Sequence, residues 1–319
     1  MSKLKVAVYW AAGCGGCDVG LLDVNEALLE VLEDVDIVFW PVAMDVKYKD
    51  LESLPNLDAA IVNGSIRNEE NEHIVKLLRS KARILVAFGS CACEGGTLGL
   101  ANLDSKQDML KTVYEETPTT GSLRGVKPSK VFKAPEGELR LPDILELNKP
   151  IDSAVKVDYY VSGCPPPVKL ILELFQTLAT GDKPASRPHI GPDKSVCDEC
   201  RRERVSKTVQ SISRLYRRPL DPEKCFLEQG LLCMGPATRG GCGAKCVEAN
   251  MPCGGCGGML NVSDQGARMI GALGSILPTD DTLNMSELEA LKDPVGALYK
   301  YCFSASLIGR GVKVKGGGR

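Results

Sequence analysis

The chain has 319 residues, 44% hydrophobic and 25% charged, with a net charge of −2. That balance suits a globular protein of about two domains and argues against nucleic acid or an anionic membrane as a general partner. No apolar run approaches a membrane span, and MSKLKVAVYW enters a strand with neither leader features nor a twin-arginine pair, so a soluble, cytoplasmic protein is expected.

In chain order, KVAVYW reads as a strand, VGLLDVNEALLEVLED as one helix, VDIVFWPV as a second strand and LDAAIVNG as a third. NEENEHIVKLLRSK has helical spacing, an Asn68 cap and acids in its first turn. ARILVAFG is a fourth strand, VDYYVSG a fifth, and PPVKLILELFQTLAT a helix opened by prolines. Apolar strands alternating with helices predict an α/β domain over 1–180, with a parallel sheet covered on both faces. The Pro-, Gly- and Lys-rich stretch 117–150 breaks the alternation and reads as a long functional or interface loop. GDKPASRPHIGPDKS reads as a linker to a second domain, 181–319, where strand signals vanish and KVKGGGR ends the chain as a tail.

Fourteen cysteines are many for a chain in a reducing compartment, where thiols stay free, and they point to metal or redox chemistry. Cys14 and Cys17 follow the first strand, Cys91 and Cys93 the fourth, and Cys164 the fifth. Ligands of an open α/β sheet bind outside the carboxyl ends of its strands, so three distant loops can place four thiolates round one point. The glycines beside them (Gly13, Gly15, Gly16, Gly89, Gly95, Gly163) let backbone approach a bulky object. Zinc and an iron–sulfur cube both take four thiolates, while a thioredoxin-type pair would explain Cys14 and Cys17 alone. Eight more cysteines lie between Cys197 and Cys256, enough for two further sets of four in a segment lacking the periodicity of a normal core. Three thiolate sites in one chain suit an electron wire better than a structural role.

The motifs GCGGC, FGSCACEGG and SGCPPP, then CDEC with Cys225, Cys233 and Cys242, and DPVGALYKY near the C-terminus, resemble the small subunit of NiFe hydrogenases over nearly the whole chain. The likeness is to the cytoplasmic, methyl-viologen-reducing type that works with heterodisulfide reductase, and to the deazaflavin-reducing type. The resemblance implies a flavodoxin-like sheet domain followed by a cysteine-rich, mostly irregular or helical iron–sulfur domain. It implies a proximal 4Fe–4S cluster on Cys14, Cys17, Cys91 and Cys164, a distal one on Cys197, Cys200, Cys225 and Cys233, and a medial one on Cys242, Cys246, Cys253 and Cys256. The resemblance places the nickel–iron centre in a separate large subunit, whose own paired C-x-x-C motifs hold it. Electrons from dihydrogen would pass along the three clusters to an acceptor subunit of heterodisulfide-reductase, flavoprotein or ferredoxin-like type. In periplasmic relatives a histidine fills the slot of Cys197, and a proline replaces the fourth medial cysteine, so Cys246 implies four irons here.

Three other readings stand beside this one. A respiratory-complex cluster subunit carries adjacent cysteines after its first strand, unlike the C-x-x-C here. A zinc scaffold would use the same thiolates and be colourless. The same wire could also serve a complex whose large subunit has lost its nickel chemistry. Cys93 and Cys302 are expected to be buried small hydrophobes, and His73 a surface residue. His189 lies in the linker, where it could sit near the distal site, and is given no role. Asp18 and Glu26 read as helix-face acids, Glu94 has no assigned role, and the basic run 201–218 is either a solvated face or a dock for an acidic partner.

Overall fold

The computed structural model describes residues 3–119, 127–181, 189–205, 208–209, 211–217, 219–260, 264–278 and 291–311. Most of the linker, the KVKGGGR tail and parts of the 117–150 stretch and of the basic run lie outside the described residues.

Strand β1 (Leu4–Trp10) leads through the first cysteine loop into α1 (Gly16–Leu22) and α2 (Ala27–Asp34). The single helix expected here is two. Asn25 takes a left-handed φ of 53° and its Nδ2 donates to the Asp23 carbonyl at 2.9 Å, so short polar side chains stop the helix locally. Then follow β2 (Val35–Phe39), α3 (Tyr48–Ser53), β3 (Leu57–Asn63) and β4 (Ile66–Asn68). Helix α4 (Glu69–Lys81) starts at Asn68 as predicted, with the Asn68 side chain accepting from the Asn71 N–H at 2.8 Å. Strand β5 (Ala82–Phe88) runs into the short α5 (Ser90–Glu94), and α6 (Lys106–Lys111) follows.

The 117–150 stretch is not one loop. It contains the hairpin of β6 (Val131–Ala134) and β7 (Gly137–Arg140), then β8 (Ile144–Lys149), which pairs antiparallel with β4. Both hairpin strands are short and face solvent, so they carry no buried alternation to read from sequence. Asn148 at the end of β8 donates to the Gly95 carbonyl at 3.0 Å, which braces the loop after β5.

Strand β9 (Tyr159–Val161) and α7 (Val168–Thr180) complete the unit. The main sheet has the order β2-β1-β3-β5-β9, all parallel, which is the flavodoxin-like order. Its central strands are buried on both faces, with Ile61, Val62, Leu85 and Val86 fully enclosed. Beyond residue 190 the described chain is loops and short turns with α8 (Lys245–Glu248), α9 (Gln265–Gly274), α10 (Pro294–Leu298) and α11 (Leu307–Gly311). Two smaller cores form there, one around Met269, Leu298 and Phe303, the other around Phe226, Leu231 and Val247. Among the described residues no helix is long and apolar enough to cross a membrane.

Candidate metal centres

At the carboxyl edge of the sheet, the loop after β1 carries Cys14, α1 carries Cys17, α5 carries Cys91 and the turn after β9 carries Cys164. Their thiols act on one another. Cys17 is pushed up by burial and then by Cys91, Cys164 and Cys14. Cys91 is pushed up to about 11 by burial and then by Cys164 and Cys14, and Cys164 by burial and then by Cys14. Thiols that raise one another in this way ionise together only against a compensating cation. Glycine gives the backbone its close approach here at two positions. A Cβ on Gly89 (φ +86°) would lie 2.3 Å from the Cys17 sulfur, and one on Gly96 (φ +60°) 2.4 Å from the Cys91 sulfur.

The other eight sequence-predicted cysteines fall into two groups. Cys242, Cys246, Cys253 and Cys256 line one cavity of about 340 Å³, with Cys164 on its wall. Cys197, Cys200, Cys225 and Cys233 line a second, with Arg202, Arg204 and Phe226. Burial, and then Cys233, pushes Cys197 up to about 12, and the same two causes push Cys253 up to about 12. Burial pushes Cys256 up to about 11, against a hydrogen bond from the Cys164 backbone. The groups adjoin one another: Ser90 Oγ, beside Cys91, donates to the Cys256 carbonyl at 2.6 Å, and the Cys253 N–H bonds the Cys233 sulfur at 3.3 Å.

Among the described residues, no three His, Cys, Asp or Glu side chains converge closely enough to hold a single metal ion. Cys242, Cys246, Cys253 and Cys256 instead line an open volume, an arrangement that fits a cube, which is wider than one ion with its sulfurs at about 2.3 Å. A further sign of fit is Arg202, buried beside Cys197, Cys200, Cys225 and Cys233 with its Nε–H unpartnered.

Several residues near the thiols were passed over or misread in sequence. Asp18 is no exposed helix-face acid. It is 3% exposed and accepts from Trp40 Nε1 at 2.8 Å, and burial raises its carboxyl. Glu26, by contrast, is exposed, at the N-cap of α2. Glu94 is buried, accepts from Ser162 Oγ at 2.9 Å, and is pushed up to about 8 by burial. Ser90 Oγ donates to the Cys256 carbonyl at 2.6 Å and ties α5 to the second cysteine group. Adjacency to Cys17 and Cys91 was the only signal for these residues. Cys93 and Cys302 are buried in apolar cores as expected. His73 is exposed, and His189 stacks on Tyr160 with ring centroids 5.0 Å apart, against the edge of β9.

Residues 14–178 match the family described as NADH ubiquinone oxidoreductase, 20 Kd subunit. The chain is 41% identical over 318 residues to the iron-sulfur subunit of the F420-non-reducing hydrogenase of Archaeoglobus profundus, covering 96% of this chain and 98% of that one. It is 37% identical over 311 residues to a subunit of an F420-non-reducing hydrogenase of Methanocaldococcus jannaschii, covering 97% and 98%. A crystal structure of an NAD+-reducing [NiFe]-hydrogenase in the H2-reduced state matches with a TM-score of 0.50 and 32% identity, over 60% of this chain and 96% of that one.

Proposed function

The chain belongs to the iron–sulfur small-subunit family of NiFe hydrogenases, an electron-transferring partner of a NiFe large subunit, and on that premise we propose that it holds three 4Fe–4S clusters in a row. The proximal cluster is assigned to Cys14, Cys17, Cys91 and Cys164 in a domain spanning 1–180. The medial cluster is assigned to Cys242, Cys246, Cys253 and Cys256, and the distal cluster to Cys197, Cys200, Cys225 and Cys233, both in a domain spanning 181–319.

The observation that carries this reading is the pair of hydrogen bonds that tie each cysteine group to the next. Ser90, beside Cys91, donates to the Cys256 carbonyl, and the Cys253 N–H bonds the Cys233 sulfur. Each group thus adjoins the next, which supports the order proximal, medial, distal. A cluster held by four thiolates supplies a one-electron carrier. The protein's own residues hold these carriers apart, bury them and set hydrogen bonds to their sulfurs, which are the levers on potential.

Electrons from dihydrogen would enter at the proximal group and leave from the distal one to an acceptor subunit in the cytoplasm. Fourteen cysteines with no disulfide among them favour such a reducing compartment. The relatives' name, F420-non-reducing, favours a heterodisulfide-reductase-type, flavoprotein or ferredoxin-like acceptor over a deazaflavin.

The test is to purify the chain anaerobically from its host with whatever binds it, and to measure iron, sulfide, zinc, nickel and hydrogen-dependent dye reduction. About twelve irons and sulfides in this chain are expected from three four-iron cubes, with nickel in the partner. Iron without nickel or dye reduction would keep the wire and discard the hydrogenase. Zinc in place of iron would sink both.

A further inference from the structure

Arg202 is 8% exposed, and the surroundings of its guanidinium are closely defined. Nη1 donates to the Asp221 carbonyl at 2.7 Å and the Lys224 carbonyl at 2.9 Å. Nη2 donates to the Val247 carbonyl at 3.4 Å and to Asn250 Oδ1 at 2.7 Å. The guanidinium carbon lies 3.9 Å from the centre of the Phe226 ring. Four of five N–H groups are engaged, and the fifth, on Nε, is buried without a partner.

All the partners are neutral. Among the described residues no carboxylate pairs with Arg202, although a guanidinium stays charged at any ordinary pH. A buried charge without a counter-charge is costly, so the fold must supply an anion nearby. Arg202 lines two cavities, one ringed by Cys197, Cys200, Cys225 and Cys233 and an open one lined by Glu203, Glu223 and Glu248, none of which pairs with it. Four thiolates on a cube leave a net negative charge, and one more on reduction. The buried cation of the medial cavity makes a useful contrast, since Arg239 pairs with Asp193 at 3.1 Å and its charge is already answered.

We propose that Arg202 is the fixed counter-cation of the distal cluster and raises its reduction potential. This rests on the distal assignment made above. A buried positive charge with no carboxylate paired to it favours the reduced, more negative cluster over the oxidised one. The device biases the wire toward its exit end, because an electron on the distal cluster meets a buried charge that no carboxylate answers, whereas Arg239 at the medial cavity is paired with Asp193. Arg202 is a positioning and tuning residue, since it neither ligates nor reacts.

The experiment is a potentiometric titration of the intact complex followed by electron paramagnetic resonance, with iron content measured in parallel. R202Q removes the charge, R202K keeps it, and N250D leaves the arginine in place but gives it a carboxylate partner. Asn250 sits at φ 58°, a conformation that aspartate also tolerates. In R202Q and N250D one midpoint should move to more negative potential while the other two stay. The ratio of reduced to oxidised cluster at fixed potential should fall roughly tenfold, as expected for one partly screened unit charge. R202K should hold the wild-type midpoint even if it lowers stability.

C225A identifies the affected signal, because that signal should be missing there together with about four irons. If R202Q loses iron, N250D decides alone. Unchanged midpoints in N250D with full iron content overturn the proposal and leave the distal assignment standing. Full iron and all three signals in C225A overturn the assignment itself.

Discussion

Around Cys14, Cys17, Cys91 and Cys164 the scaffold is a five-stranded parallel sheet whose central strands are buried along most of their length. Around the eight cysteines from Cys197 to Cys256 it is loops, short turns and the four-residue α8. The thiols are alike in number per group and in their mutual repulsion, but what holds them differs. The sheet is stabilised by apolar burial and needs nothing bound at its edge. The second region has a smaller core about Phe226, Leu231 and Val247 into which Cys233 itself is packed. On the cluster assignments proposed above, the metal there would be part of the fold, its binding free energy being folding free energy. On that proposal, similar thiolate chemistry would rest on a metal-independent support in one region and a metal-dependent one in the other.

Iron removal separates the two most sharply. After anaerobic chelation, amide exchange across 196–260 is expected to lose its protection, while β1, β3 and β5 keep theirs. Equal loss in both regions would mean that the sheet, too, depends on its metal.

Single ligand substitutions come next in size. Cys14→Ala and Cys225→Ala should each remove about four irons, one cube apiece. Both should abolish or greatly reduce hydrogen-dependent electron delivery to the natural acceptor. Only Cys225→Ala should also open its loop to protease, because only that loop lacks a sheet beneath it. Full iron and hydrogen uptake in Cys14→Ala would remove the proximal assignment.

Leu85→Ala tests the other support. Leu85 is 0% exposed in the centre of the sheet, so truncation is expected to cost about 3 kcal/mol, read as a lower unfolding midpoint. Iron content at room temperature should stay unchanged, the reverse of the Cys225→Ala pattern.

The same contrast explains what the sequence disclosed. The strands of the sheet, the Asn68 cap and the cysteine loops at the strand ends were legible because apolar runs and capping are local signals. The break at Asn25 and the β6–β7 hairpin were not, since one depends on a side-chain bond to Asp23 and the other buries little. The grouping of the eight later cysteines came from a family likeness rather than from spacing, as no periodicity marks which loop meets which. Arg202 was hidden in a basic run that reads as a solvated face. Its burial is decided by carbonyls of Asp221, Lys224 and Val247, which no local pattern announces.

Glu94 joins the two regions, and its effect should be the smallest. It lies on α5, accepts from Ser162, and packs so tightly on Gly258 that a Cβ there would come within 2.1 Å of Oε1. Burial raises its carboxyl from 4.5 to about 8, against the lesser effect of the Ser162 hydrogen bond. The folded state therefore holds this proton more tightly than the unfolded one. Its contribution is full below about pH 4.5, declines as the unfolded chain ionises, and is lost as pH rises through about 8. Glu94→Gln keeps the shape and never ionises, so it should match the wild type near pH 5 and unfold at a higher temperature near pH 9. Thermal unfolding of the anaerobic complex at the two pH values checks this. A difference that does not change with pH would mean that Glu94 is already ionised in the folded protein, with a counter-charge supplied from across the boundary between the two regions.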